Sequence, residues 1–325
     1  MSVVCIKSSN HGYTVHFWDD GAIDGKPVSQ TEYLPLGHEA VGSVFTVGDK
    51  VEHLKVGDRV AVEPATPCRV CIRCREGLYN LCPNIRFAGS STADPACLAK
   101  FYKAQADFCY KLPDHITWEE RAMIEPLAVA AHSVMMIGIK LGQGLVIFGA
   151  GTIGLVCEAV VKMFGARGIV SVDILDHKLD FAKRFLNSHT YKSTADKSPE
   201  ETAADIIRQA ELGQGADAVI EASGSAICTN TAVHVLRKGG QFVQTGIGKH
   251  VIDFPIFQFS IKELHMHGAF RHGEGDFRLA IDALQHSLIP VKDLISQLYD
   301  FEDTETALGA TLKGQGIKNM VQGPR

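Results

Sequence analysis

A histidine and a glutamate stand side by side in LPLGHEAVG (34–42), with His38 and Glu39 between Gly37 and Gly42. Imidazole and carboxylate both bind zinc, and the glycines let backbone and ligand approach closely. The pair is ambiguous alone, because most His–Glu neighbours are surface or hydrogen-bonded residues. Further on, Cys68-x2-Cys71-x2-Cys74-x7-Cys82 puts four thiols into one short loop. Four thiolates at these intervals can close a tetrahedral zinc shell without help from another element. A closed shell has no open coordination position, so this site holds a lobe together and does no chemistry. Ile124-Glu125-Pro126-Leu127 sets a carboxylate among apolar residues. That is unfavourable unless the group is paired or near a metal; an exposed helix face is the bland alternative.

The next motif is Gly149-Ala-Gly151-Thr-Ile-Gly154, which follows the β-branched run 145–148 and opens an apolar helix. In that context GxGxxG makes a tight turn, admits a pyrophosphate and packs helix on sheet, while the helix N-terminus supplies N–H groups. The next strand, 168–172, leads into Asp173, 22 residues after Gly151. An acid there accepts from the adenosine ribose hydroxyls and repels a 2′-phosphate, which favours NAD over NADP. Lys178 lies in the following turn, a cation that a 2′-phosphate could use.

The elements that must position these groups fall into two sets. Residues 42–64 alternate short β-branched runs with turns and predict a compact antiparallel β unit; the run 3–6 predicts an edge strand. A helical stretch is expected over 118–136, started by Thr117. From there strands and helices alternate. Ser198-Pro199-Glu200-Glu201 carries a capping box, 216–222, 240–246 and 263–269 read as the fourth to sixth strands, and 277–286 as a helix of the tail. The fold class is α/β: a β-rich domain over 1–127, completed by 269–325, and a doubly wound parallel sheet over 128–268.

Composition excludes several functions. The 325 residues suggest roughly two domains, and a net charge of −5 without a basic run argues against a nucleic-acid partner. The start lacks a signal-peptide core, and 145–164 is interrupted by Glu158 and Lys162, so no membrane span is expected. Nine cysteines, four of them clustered, fit a reducing compartment and hence the cytoplasm. Cys97 and Cys109 read as buried structural thiols.

The GHE stretch, the four-cysteine loop, IEPL and GAGTIG occur in one order. Together they resemble the zinc-dependent medium-chain alcohol dehydrogenases, and VHFW (15–18), GLYNLCPNIRF (77–87), DFCYKLPD (107–114), IEPLAVAAHSV (124–134) and GIK (316–318) are similar to the polyol branch. The resemblance implies a GroES-like catalytic domain and a Rossmann domain. It also implies a structural and a catalytic zinc, NAD, a small alcohol substrate and a homo-oligomer. On it, His38 and Glu39 become catalytic zinc ligands and Glu125 a near-zinc acid. Gly149, Gly151, Ile153, Gly154, Asp173, Lys178, Thr245, Gly246, Ile247, Ala269, Phe270 and Arg271 contact the cofactor. Phe17, Glu125, Arg271 and His272 line the substrate.

Three departures from the family pattern stand out. The chain begins close to its first ligand, which should leave unpaired sheet edges in the first domain. Where the family has CGSD before VHFW, this sequence reads His11-Gly12-Tyr13-Thr14, so the ligand cysteine is absent. His11 becomes the candidate third ligand, and Cys5 fits the pattern less well. The tyrosine after Phe270-Arg271 is His272. Three readings follow: a polyol dehydrogenase, a tailoring alcohol dehydrogenase of a specialised pathway, or a catalytically impaired dinucleotide-binding paralogue.

Overall fold

The computed structural model describes residues 33–324 throughout, residue 18, and the strand segments 2–9, 22–23 and 26–27. The chain divides into two units, Met1–Pro126 with Gly273–Arg325, and Leu127–His272.

The first unit is built on a mixed sheet. Its strands run Ile295–Tyr299, Lys318–Gln322, Ser2–Ser9, Ala40–Thr46, Arg59–Val62, Cys109–Lys111, with Phe101–Tyr102 also pairing with Ser2–Ser9. The expected edge strand at 3–6 is therefore an interior one. Ser2–Ser9 pairs antiparallel with Ala40–Thr46 on one side and with Lys318–Gln322 on the other. Its second partner comes from the far end of the chain, where no local pattern can announce it. Among the described residues the outer strands of this sheet are Ile295–Tyr299 and Cys109–Lys111, so no bare edge lies beside Ser2–Ser9. Val44, Val60, Val62, Tyr102, Cys97 and Cys109 belong to one buried cluster of this unit.

Trp118–Ala122 and Ile124–Ile137 (α1) replace the single helical stretch expected over 118–136. Pro126 is the reason: in a continuous helix its ring would strike the carbonyl four residues back, whereas the first turn of a new helix tolerates it. Thr117 caps the first of these helices with a reciprocal capping box to Glu120.

The second unit holds β1 (Gly144–Phe148), β2 (Gly168–Asp173), β3 (His189–Lys192), β4 (Ala216–Glu221), β5 (Leu236–Gln244) and β6 (His265–Gly268). Their order is β3-β2-β1-β4-β5-β6 and every neighbouring pair is parallel. This is the doubly wound arrangement, in which ligands bind beyond the carboxyl ends of the strands. Val146, Phe148, Val170, Val172, Val219 and Phe242 fill its core. The helices α2 (Thr152–Met163) and α3 (Asp176–Leu186) follow β1 and β2. The fifth strand ends two residues earlier than 240–246 implied, so Thr245 and Gly246 lie beyond the ladder; their N–H groups instead turn back to the Glu221 carbonyl, at 2.8 and 2.7 Å. Among the described residues no helix is long and apolar enough to cross a membrane.

Candidate metal centre and dinucleotide site

In the first unit, His38 and Glu39 end the segment that enters strand Ala40–Thr46. Gly37, at φ 91°, makes the turn before them, and its carbonyl accepts from the Cys97 N–H at 2.8 Å. Glu125 lies in the first turn of α1, where the positive end of the helix favours an acid. His38, Glu39 and Glu125 are all buried, at 4%, 0% and 4% exposure, and one ligand atom from each lies within 4.8 Å of the others. Such a cluster of imidazole and carboxylates suits a zinc ion.

The Glu39 carboxylate also pairs with the ammonium of Lys318, itself buried. Burial raises the Glu39 pKa, and the charge and hydrogen bond of Lys318 oppose the rise. Lys318 is a functional neighbour that sequence reasoning passed over: it was noted only within the GIK likeness, 279 residues from its partner. His11 and Phe17, expected as ligand and pocket residue, lie outside the described residues, as does Tyr13.

The four cysteines do converge. Sulfur–sulfur separations are 4.0 Å for Cys68–Cys74 and 3.5 Å for Cys71–Cys74. Zinc–sulfur bonds of about 2.3 Å in a tetrahedron call for sulfurs roughly 3.8 Å apart, so the set fits that ion. Backbone N–H groups point at the sulfurs, from Cys71 to Cys68 at 3.4 Å and from Cys74 to Cys71 at 3.5 Å. N–H groups of Val70 and Cys71 pull the Cys68 thiol down to about 6, while burial pushes Cys74 up to about 12. Binding a cation would release the proton that the Cys74 thiol retains. The lobe is anchored by Tyr79, whose hydroxyl donates to the buried Glu63 carboxylate, which also accepts from Tyr110 at 2.7 Å. Burial first, and the Glu63 charge second, raise both tyrosine pKa values.

In the second unit the expected cofactor residues gather at one end of one sheet. Gly149 turns off β1 at φ 95°, Gly151 caps α2, and Ile153 and Gly154 fall in its first turn. A Cβ on Gly154 would lie 1.7 Å from the Gly149 carbonyl oxygen, so close packing there admits only glycine. A Cβ on Gly151 would meet nothing within 4 Å, which leaves open the space a pyrophosphate needs. Asp173 ends β2 and accepts from the Ala150 N–H at 2.8 Å, tying the acid to the glycine turn. Lys178 lies early in α3, Thr245, Gly246 and Ile247 follow β5, and Ala269, Phe270 and Arg271 follow β6. The Thr245 hydroxyl donates to Ser133 of α1 at 2.9 Å. Arg271 has φ 60°, a left-handed backbone of the kind that concentrates at functional sites, and its guanidinium lies over the Phe270 ring. His272 is buried at 1% exposure.

Comparison with known proteins agrees with this geometry. Residues 4–114 match the alcohol dehydrogenase GroES-like domain and residues 152–286 the zinc-binding dehydrogenase model. The chain is 45% identical over 312 residues to D-xylulose reductase A of Aspergillus niger, covering 96% of this chain and 86% of that one. It is 43% identical over 312 residues to the protein of that name from Aspergillus oryzae, with the same coverage. The chain belongs to the zinc-dependent medium-chain alcohol dehydrogenase family. Among solved structures, an Escherichia coli oxidoreductase of unknown specificity superposes at TM-score 0.92 with 28% identity, over 100% of this chain and 92% of that one. L-idonate 5-dehydrogenase of Escherichia coli superposes at 0.87 with 28% identity, over 99% and 90%. The dehydrogenase family and its polyol branch supply the chemistry these sites suit: zinc in the first unit, a nicotinamide nucleotide on the second.

Proposed function

We propose that the chain interconverts a polyol, or another secondary alcohol, and its ketone with NAD. The buried cluster of His38, Glu39 and Glu125 carries this reading, since its donors lie within 4.8 Å of one another. Zinc held by these residues would supply a Lewis acid for the alcohol oxygen, and a nicotinamide nucleotide held on the second unit would supply the hydride acceptor. His38 and Glu39 hold the metal with His11, and Glu125 serves as the acid beside it. Lys318 keeps the Glu39 carboxylate oriented. Arg271 and His272 are the residues proposed for the substrate hydroxyls. A polyol is favoured because relatives at 45% and 43% identity are named D-xylulose reductase. NAD is favoured over NADP by the Asp173 carboxylate at the end of β2.

We also place the enzyme in the cytoplasm, where thiols serve as zinc ligands, and expect a homo-oligomer. The outer strand β6 and exposed Val251, Ile256, Phe257 and Met266 support association through that side of the second unit.

Metal analysis with a substrate panel tests the reading. About two zinc ions per chain are expected, and about one in His38→Ala, with NAD reduced by xylitol, sorbitol or L-arabinitol. Equal zinc in the two proteins, or no NAD reduction by any polyol or simple secondary alcohol, would overturn it.

A further inference from the structure

β4 ends in a carboxylate that the chemistry above does not use. Glu221 is buried at 0% exposure. One of its oxygens accepts from the Ser223 N–H at 2.8 Å and from the Ser223 hydroxyl. The other accepts from the Gly224 N–H at 2.9 Å and from the Gln244 amide at 2.5 Å. Gln244 also donates to the Gly246 carbonyl at 2.9 Å. Glu221, through Gln244 at the end of β5, thus joins the loop after β4 to the loop after β5.

Those loops touch backbone to backbone. A Cβ on Gly246 would lie 2.2 Å from the Gly224 nitrogen, and one on Gly248 would lie 1.8 Å from the Gly224 oxygen. Gly224 itself has φ +72°, and its Cβ would lie 2.2 Å from the Ile247 oxygen. Three glycines are therefore required where the two loops meet. The donors around Glu221 explain why an acid is needed. Four N–H or O–H groups converge on two oxygens, and an amide would present only one acceptor and turn its NH2 toward two donors.

A doubly wound sheet binds a dinucleotide in two halves. The glycine turn and Asp173 belong to the half built on β1, β2 and β3. Glu221 and its loops stand at the carboxyl ends of β4 and β5, in the other half, which leaves them the nicotinamide nucleotide. We infer that Glu221 is a positioning residue, whose carboxylate sets the shape of loops 222–225 and 245–248 for the nicotinamide half of the cofactor. The inference rests on the dinucleotide reading of the second unit.

The test compares NADH with ADP-ribose, which keeps the adenosine, the pyrophosphate and the second ribose and lacks only the nicotinamide ring. In Glu221→Gln, the NADH Kd, read by nicotinamide fluorescence, should rise about ten-fold or more, the effect of leaving buried donors unmet. The ADP-ribose Kd, read by calorimetry, should stay within about two-fold. Unchanged affinity for both ligands, or equal loss for both, would overturn the positioning role. Ser223→Ala removes one donor and keeps the acid, so it serves if the first variant does not fold. It should weaken NADH roughly three-fold and leave ADP-ribose alone; any other pattern counts against the inference. If the unaltered protein binds neither ligand, the dinucleotide reading itself fails, and the inference with it.

Discussion

Glu158 lies on the dinucleotide helix α2 with 0% exposure, and one of its oxygens accepts from the Ser171 hydroxyl on β2 at 2.6 Å. Burial pushes its carboxyl up to about 7, against the opposing effects of Ser171 and Lys162. The folded chain therefore holds this proton more tightly than the unfolded one. That contribution is complete below about pH 4.5 and is lost as pH rises through about 7. Glu158→Gln, which mimics the protonated acid, should stabilise the protein at pH 8 by up to about 3 kcal/mol. The gain should vanish toward pH 5 in thermal melts, and a gain larger at pH 5 than at pH 8 would contradict it. Asp173 is a second case at this scale. Its carboxylate accepts from the N–H groups of Ala150, Ile174 and Leu175. Asp173→Ala should thus weaken NAD binding and also lower the NAD-to-NADP preference in kcat/KM by about ten-fold or more. An unchanged ratio would show that the acid holds only the turn.

Among the elements, those with a local cause are legible in the sequence. The capping box at Ser198 starts Pro199–Gln209, with the proline in the first turn, and the GxGxxG run makes the β1–α2 turn as its glycines require. Gly154→Ala tests that turn. Its Cβ would lie 1.7 Å from a backbone oxygen, so α2 must move away from β1. The expected result is loss of NADH binding by at least about ten-fold, together with a lowered Tm; binding within about two-fold of the unaltered protein would refute the packing argument. Strand limits were less legible. Lys238-Gly239-Gly240 interrupts the pairing: β5 meets β4 at Leu236 and again only from Gln241, with Gly239 at φ 72° between them, so the regular ladder starts where the glycines end. Pro126 split a helical stretch that hydropathy alone joined.

For the whole molecule, the two units have separate cores, and a domain with its own core can keep its function when the other is damaged. Cys71→Ser opens the four-sulfur shell in the first unit. It should remove about one zinc per chain by metal analysis and lower the first thermal transition, while NADH affinity stays within about three-fold. Loss of NADH binding in parallel with the zinc would show that the lobe supports both units. What the sequence by itself determined were the features set by near neighbours: the cysteine spacing, the glycine turn, Asp173 at the end of its strand, and the βα alternation. Each depends on contacts a few residues apart, so residue type and interval suffice. Only the tertiary structure placed Ser2–Ser9 between two strands, set Lys318 against Glu39, and brought Gln244 to Glu221. Those groups meet through sheet pairing and burial between distant segments, where the need to satisfy a buried charge, and no local pattern, selects the partner.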